Sequence, residues 1–86
     1  MAKIIIYTSP ICSYCVQAKR LLSRKGVAFE EIDVSRDADL RRKVIQMSGG
    51  RMTVPQIFVD DDHIGDCDEI YALDRAGKLD PLLKLA

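Results

Sequence analysis

The stretch Lys3-Ile4-Ile5-Ile6-Tyr7-Thr8-Ser9-Pro10-Ile11-Cys12-Ser13-Tyr14-Cys15 decides how this chain folds. Lys3 to Tyr7 is a β-branched, apolar run of strand length closed by Thr8-Ser9-Pro10, which predicts a buried first strand. Past Cys12-Ser13 the period changes. Cys15, Ala18, Leu21 and Leu22 recur at helical spacing, with Gln17, Lys19, Arg20, Ser23 and Arg24 mostly opposite, until Gly26 stops the helix. A strand that runs straight into a helix puts Cys12 at the helix N-terminus. Unpaired backbone N–H groups and the positive end of the helix dipole favour an anion there, so Cys12 reads as a nucleophilic thiolate, with Lys19 and Arg20 near it in sequence. Cys15, one turn further in beside Ala18, faces the apolar side and suits the role of resolving thiol.

Outward from this junction, Val27 to Val34 carries Phe29, Ile32 and Val34 among acids, a weaker strand that should pair beside the first. Ser35 or Asp37 can cap a second helix, in which Leu40, Val44 and Met47 follow the i, i+4, i+7 pattern before Gly49-Gly50. A β-α-β unit crosses over right-handed, which leaves the loop after strand one at a carboxyl edge of the sheet, where ligands bind. Then Pro55 to Val59, an acidic turn at Asp60-Asp61-Asp62, and His63-Ile64 read as an antiparallel hairpin. A third helix starts near Asp66 with Glu69 completing a capping box and ends at Gly77. A last short helix is expected with Asp80 as cap and Pro81 at its first position. With no repeat or linker between these elements, residues 1–86 form one β-α-β-α-β-β-α domain of the α/β class, a four-stranded mixed sheet flanked by helices.

Composition narrows the function classes. The 86 residues are 48% hydrophobic and 30% charged, with 13 basic and 13 acidic side chains, so no net field is available to hold nucleic acid or an anionic membrane. The charge is unevenly spread: residues 1–43 hold nine basic and five acidic side chains, residues 44–86 four and eight, which makes the molecule a dipole. Ile4-Ile5-Ile6 is too short for a signal-peptide core or a membrane span, so a cytoplasmic location is expected. Three cysteines, two of them three apart, are not the even framework of a stapled secreted domain. A reactive pair in a reducing compartment fits better than a zinc site, which would have to recruit His63 and Cys67 with no second Cys-x-x-Cys.

Three motifs in order, Cys12-Ser13-Tyr14-Cys15, Thr53-Val54-Pro55 and Gly65-Asp66-Cys67-Asp68, resemble a dithiol glutaredoxin of the thioredoxin-like superfamily, and Thr53 to Pro81 is similar to bacterial glutaredoxins nearly throughout. The resemblance implies a thioredoxin-like fold, a cis peptide bond before Pro55, and backbone pairing of Val54 with the peptide of bound glutathione. It further implies that Tyr14 flanks the tripeptide, that Thr53 lends backbone contacts, and that Cys67 and Asp68 hold the γ-glutamyl end. Backbone N–H groups of helix three would take the α-carboxylate and Asp68 the ammonium. Many glutaredoxins have Lys three residues before the first cysteine. Ser9 stands there here, so Arg41, and after it Arg51, is assigned the glycine-end carboxylate.

The function implied is that of a glutathione-disulfide oxidoreductase acting on glutathionylated and disulfide-containing proteins, monomeric, with glutathione as co-substrate and no built-in cofactor or metal. A thioredoxin-like reductase served by a flavoenzyme is disfavoured because Trp is absent. The alternative from another class is a dimer holding a 2Fe-2S cluster through Cys12 and two glutathiones, which Ser13 leaves open. His63 is expected on the strand surface, Met47 and Met52 as gap-fillers around the glycine turn, and Asp66 as a cap whose charge opposes the ligand carboxylate.

Overall fold

Side chains of a strand alternate between faces, and β1 (Ile4–Thr8) buries all five of its residues. Ile4 and Ile6 join one core with Ala18, Leu21, Leu22, Ile57, Val59 and Ile70, whereas Ile5 and Tyr7 join another with Val34, Val44 and Phe58. The triple isoleucine is therefore the middle layer of a sandwich, which is why it lacks the polar alternation of a half-exposed strand. The computed structural model describes residues 2–84.

Helix α1 (Ser13–Arg24) turns Cys15, Ala18, Leu21 and Leu22 inward as the periodicity predicts. Gly26, at φ 72°, takes the left-handed turn that follows it. Strand β2 (Glu30–Asp33) runs parallel to β1 and is shorter than expected. Val27 and Phe29 reach the core from outside the strand, and the Val34 N–H bonds to the Thr8 carbonyl at 2.9 Å beyond its end. Asp37 caps helix α2 (Ala38–Met47) by accepting from the Leu40 N–H at 3.0 Å. Ser35 instead gives its N–H to Asp33.

Strand β3 (Gln56–Val59) lies antiparallel to β1, and β4 (Asp62–Gly65) antiparallel to β3, giving the order β2-β1-β3-β4. Their link, Asp60-Asp61, has φ 49° and 69°, the pair of positive angles a two-residue hairpin turn needs and Asp tolerates. Helix α3 (Cys67–Arg75) opens on Asp66, and the expected box with Glu69 is complete.

Three expectations need correction. Helix α4 (Leu79–Leu82) starts before Asp80 and has no side-chain cap; the fully buried Leu79 draws the helix start back, and Asp80 pairs instead with Lys25 at 2.9 Å. Met47 and Met52 do not fill the interior. Both are exposed, because the Gly49-Gly50 turn, at φ 75° and 98°, carries the chain along the surface. His63 is half-buried rather than a surface residue: its ring rests against Phe58 with centroids 5.1 Å apart. Among the described residues no helix is long and apolar enough to cross a membrane.

Candidate active site

Cys12 is the N-cap of α1, its backbone extended at φ −127° and ψ 106°. Its Sγ accepts the Cys15 N–H at 3.1 Å, a backbone dipole aimed at the sulfur where negative charge would sit. The residue before it, Ile11, sits at φ 55°, and its side chain is fully exposed. A β-branched residue in the left-handed region costs roughly 1–2 kcal/mol, so Cys12 is presented by a strained turn.

Cys15 is 2% exposed. Burial, and then its hydrogen bond with Cys12, pushes its thiol up to about 12. One thiol of the pair is thus half-exposed and the other buried beneath it.

Across from Cys12 stands the turn Thr53-Val54-Pro55, whose Val54-Pro55 bond is cis. The Val54 carbonyl lies 3.9 Å from Cys12 Sγ. A groove of about 270 Å³ opens beside it, lined by Tyr14, Thr53, Val54, Pro55, Asp66, Cys67 and Asp68. All of the resemblance-implied residues converge on this groove except Arg41. The Arg41 guanidinium, on α2, donates to the Met52 carbonyl at 3.2 Å, one residue before the turn. Arg51, the second choice, is taken up elsewhere: it forks onto the Glu69 carboxylate, with its Nη1 3.6 Å from Asp66.

The far wall is the start of α3, where the N–H groups of Cys67 and Asp68 have no acceptor within the helix. Cys67 is buried, and that burial, followed by the charges of Asp68 and Asp66, raises its thiol. Asp66 keeps its carboxylate on the Glu69 N–H at 2.9 Å.

Two sets of residues escaped the sequence reading. Gln56, wholly buried, donates to the Thr53 carbonyl at 3.0 Å and bonds to His63 Nε2 at 2.6 Å, a relay that fixes the turn from behind. Its one signal was an amide inside the apolar run Gln56-Ile57-Phe58-Val59. The other is the grouping of Lys19, which the sequence places near Cys12, with Thr8 and Glu31. The Thr8 hydroxyl donates to Glu31 at 2.8 Å and Lys19 donates to both Glu31 oxygens at 3.0 and 3.2 Å, so Lys19 is tied to β2. These three line a second cavity of about 580 Å³, on the α1–β2 side of Cys12 and Cys15. Among the described residues no three His, Cys, Asp or Glu side chains gather closely enough to hold a metal ion.

A half-exposed thiol capping a helix, a buried partner one turn below, and a cis-proline turn facing them on a β-α-β-α-β-β-α scaffold define a thioredoxin-like thiol-disulfide oxidoreductase. The comparisons agree on the class and narrow it. Residues 4–64 match the Glutaredoxin family model. Glutaredoxin 3 of Escherichia coli is 56% identical over 84 residues, covering 98% of this chain and all of that one. Glutaredoxin of Pseudomonas aeruginosa is 48% identical over 96% of this chain and 98% of its own. Among solved structures, the solution structure of glutaredoxin from Brucella melitensis superposes with a TM-score of 0.86 at 54% identity, over 98% of this chain and 90% of that one. The crystal structure of a buckwheat glutaredoxin-glutathione complex reaches the same score at 29% identity, over 96% of this chain and 77% of that one. The chain belongs to the glutaredoxin family.

Proposed function

We propose that the protein is a glutathione-dependent disulfide oxidoreductase of the cytoplasm, working as a monomer on glutathionylated and disulfide-bonded proteins. The observation that carries this reading is the groove beside Cys12. It offers the Val54 backbone beside the cis-proline, the N–H groups of Cys67 and Asp68 at the start of α3, and the Asp68 carboxylate, which match in kind the peptide, α-carboxylate and ammonium of a γ-glutamyl tripeptide. A related fold binds glutathione in the buckwheat complex. Arg41 supplies the cation for the glycine end by reaching toward the turn from α2.

In the proposed cycle Cys12 thiolate attacks the glutathione sulfur of a mixed disulfide and the target protein leaves as a thiol. A second glutathione then attacks the Cys12-glutathione bond and releases glutathione disulfide. With a protein disulfide, Cys15 attacks the Cys12 mixed disulfide instead, and glutathione reduces the resulting Cys12–Cys15 bond. Glutathione is co-substrate in both, and no resident cofactor takes part. The test is turnover of a glutathionylated peptide with glutathione and its reductase against thioredoxin reductase as electron source. Preference for the first is expected; strict preference for the second would remove the proposal.

A further inference from the structure

In the resolving step the Cys15 thiol has to give up its proton at the moment it attacks, yet it is buried and sits where an anion is poorly solvated. Its surroundings are not uniform. On the side away from the groove it lines the 580 Å³ cavity, whose wall one helical turn further along α1 is Lys19. Residues i and i+4 of a helix share a face, so the ammonium and the thiol look into the same space. Lys19 does not roam there: Glu31 holds it with two hydrogen bonds, and Glu31 is itself held by the buried Thr8 hydroxyl at the end of β1. Glu31 and Asp33 on β2 line the same cavity; what favours the thiolate at Cys15 is a backbone hydrogen bond from Ser9 and, after it, the charge of Lys19, the one side chain that acts in that direction.

From this geometry we infer that Lys19, anchored by Glu31 and Thr8, is a positioning residue for the resolving step, stabilising Cys15 as it becomes an anion and so setting how fast the enzyme handles protein disulfides relative to glutathionylated ones. The inference rests on the dithiol route proposed above. In that step Cys15 Sγ passes its proton to water in the cavity and forms a bond to Cys12 Sγ. The bond from Cys12 to the substrate sulfur breaks, and the substrate leaves with the electron pair as a thiolate that solvent protonates. The exchange consumes no further oxidant or reductant.

Two measurements on the full chain test it. The first follows iodoacetamide alkylation of Cys15 in a Cys12→Ser background, where residue 12 is uncharged as it is in the mixed disulfide, with peptide mass mapping to separate Cys15 from Cys67. Lys19→Met should slow Cys15 alkylation by about fivefold or more, while Lys19→Arg restores most of the rate. The second compares reduction of a protein disulfide with deglutathionylation in the otherwise native chain. Lys19→Met should slow the former about fivefold more than the latter. A Cys15 alkylation rate left unchanged by Lys19→Met would overturn the inference, as would a parallel loss of both activities. A failure of the glutathione reading would show instead as absent deglutathionylation in the unmodified protein, with the alkylation difference intact.

Discussion

Cys12 and Cys15 are one helical turn apart and differ in environment, the first half-exposed at a helix end and the second buried. A substitution at each should therefore fail differently. Cys12→Ser is expected to abolish turnover of every disulfide substrate, because both remaining thiols are buried and neither caps a helix. Cys15→Ser should keep deglutathionylation and lose protein-disulfide reduction, and the two assays run in parallel separate the cases. Beside them, Ile11 carries a backbone cost with no burial in return, since its side chain projects into solvent. Ile11→Asn, which tolerates the left-handed region, should stabilise the protein by about 1 kcal/mol in urea unfolding. Asp66 also takes a different meaning in three dimensions. Its carboxylate is held by the Glu69 N–H and lies near Arg51, so its charge is partly compensated. Asp66→Ala should cost roughly 0.5–2 kcal/mol of stability as a lost cap, and Asp66→Gly only a few tenths, both read from melting curves.

At the level of elements, the helices were legible because their caps and apolar stripes are local. Asp37, Asp66 and Glu69 stand in the sequence as they stand in the fold. What escaped was set by tertiary packing. Asp80 resembled a cap, but burial of Leu79 moved the helix start; Gln56 read simply as part of a strand, and only the fold brings Thr53 and His63 to it. The groove residues were named through the family resemblance, whereas the Lys19–Glu31 pairing joins a helix to a strand 12 residues away and had no local sign. One glycine marks where elements meet most tightly. Gly65 ends β4 at φ 136°, and a Cβ there would lie 2.6 Å from the Glu69 Cβ, inside the capping box. Gly65→Ala should destabilise by at least about 1–3 kcal/mol from backbone strain alone, measured as a lowered urea midpoint with the m-value unchanged.

For the molecule as a whole, charge and burial set how stability depends on pH. Burial, and after it the Arg51 charge, lowers His63 below its ordinary 6.5. The unfolded chain therefore takes up this proton first, and stability falls as pH drops through 6.5 toward the folded value. Glu31, Asp33, Asp60 and Glu69 are all held low, chiefly by hydrogen bonds from Lys19, the Ser35 backbone, Lys84 and Arg51 respectively, so their contribution is present above about 4.5 and is lost below it. The melting temperature should decline in two stages on acidification from about pH 7.5 to about pH 3, and His63→Gln should flatten the first stage only. The sheet itself ends on one side at β2, where Glu30, Glu31 and Asp33 occupy three of four positions and all three are exposed. A strand at the border of a sheet is a template onto which another chain can add, and carboxylates spaced along it make that addition self-repelling. The acidic second strand thus acts as a guard against fibrous association, and the chain carrying both Glu30→Val and Asp33→Val would be expected to precipitate where the native one stays dispersed.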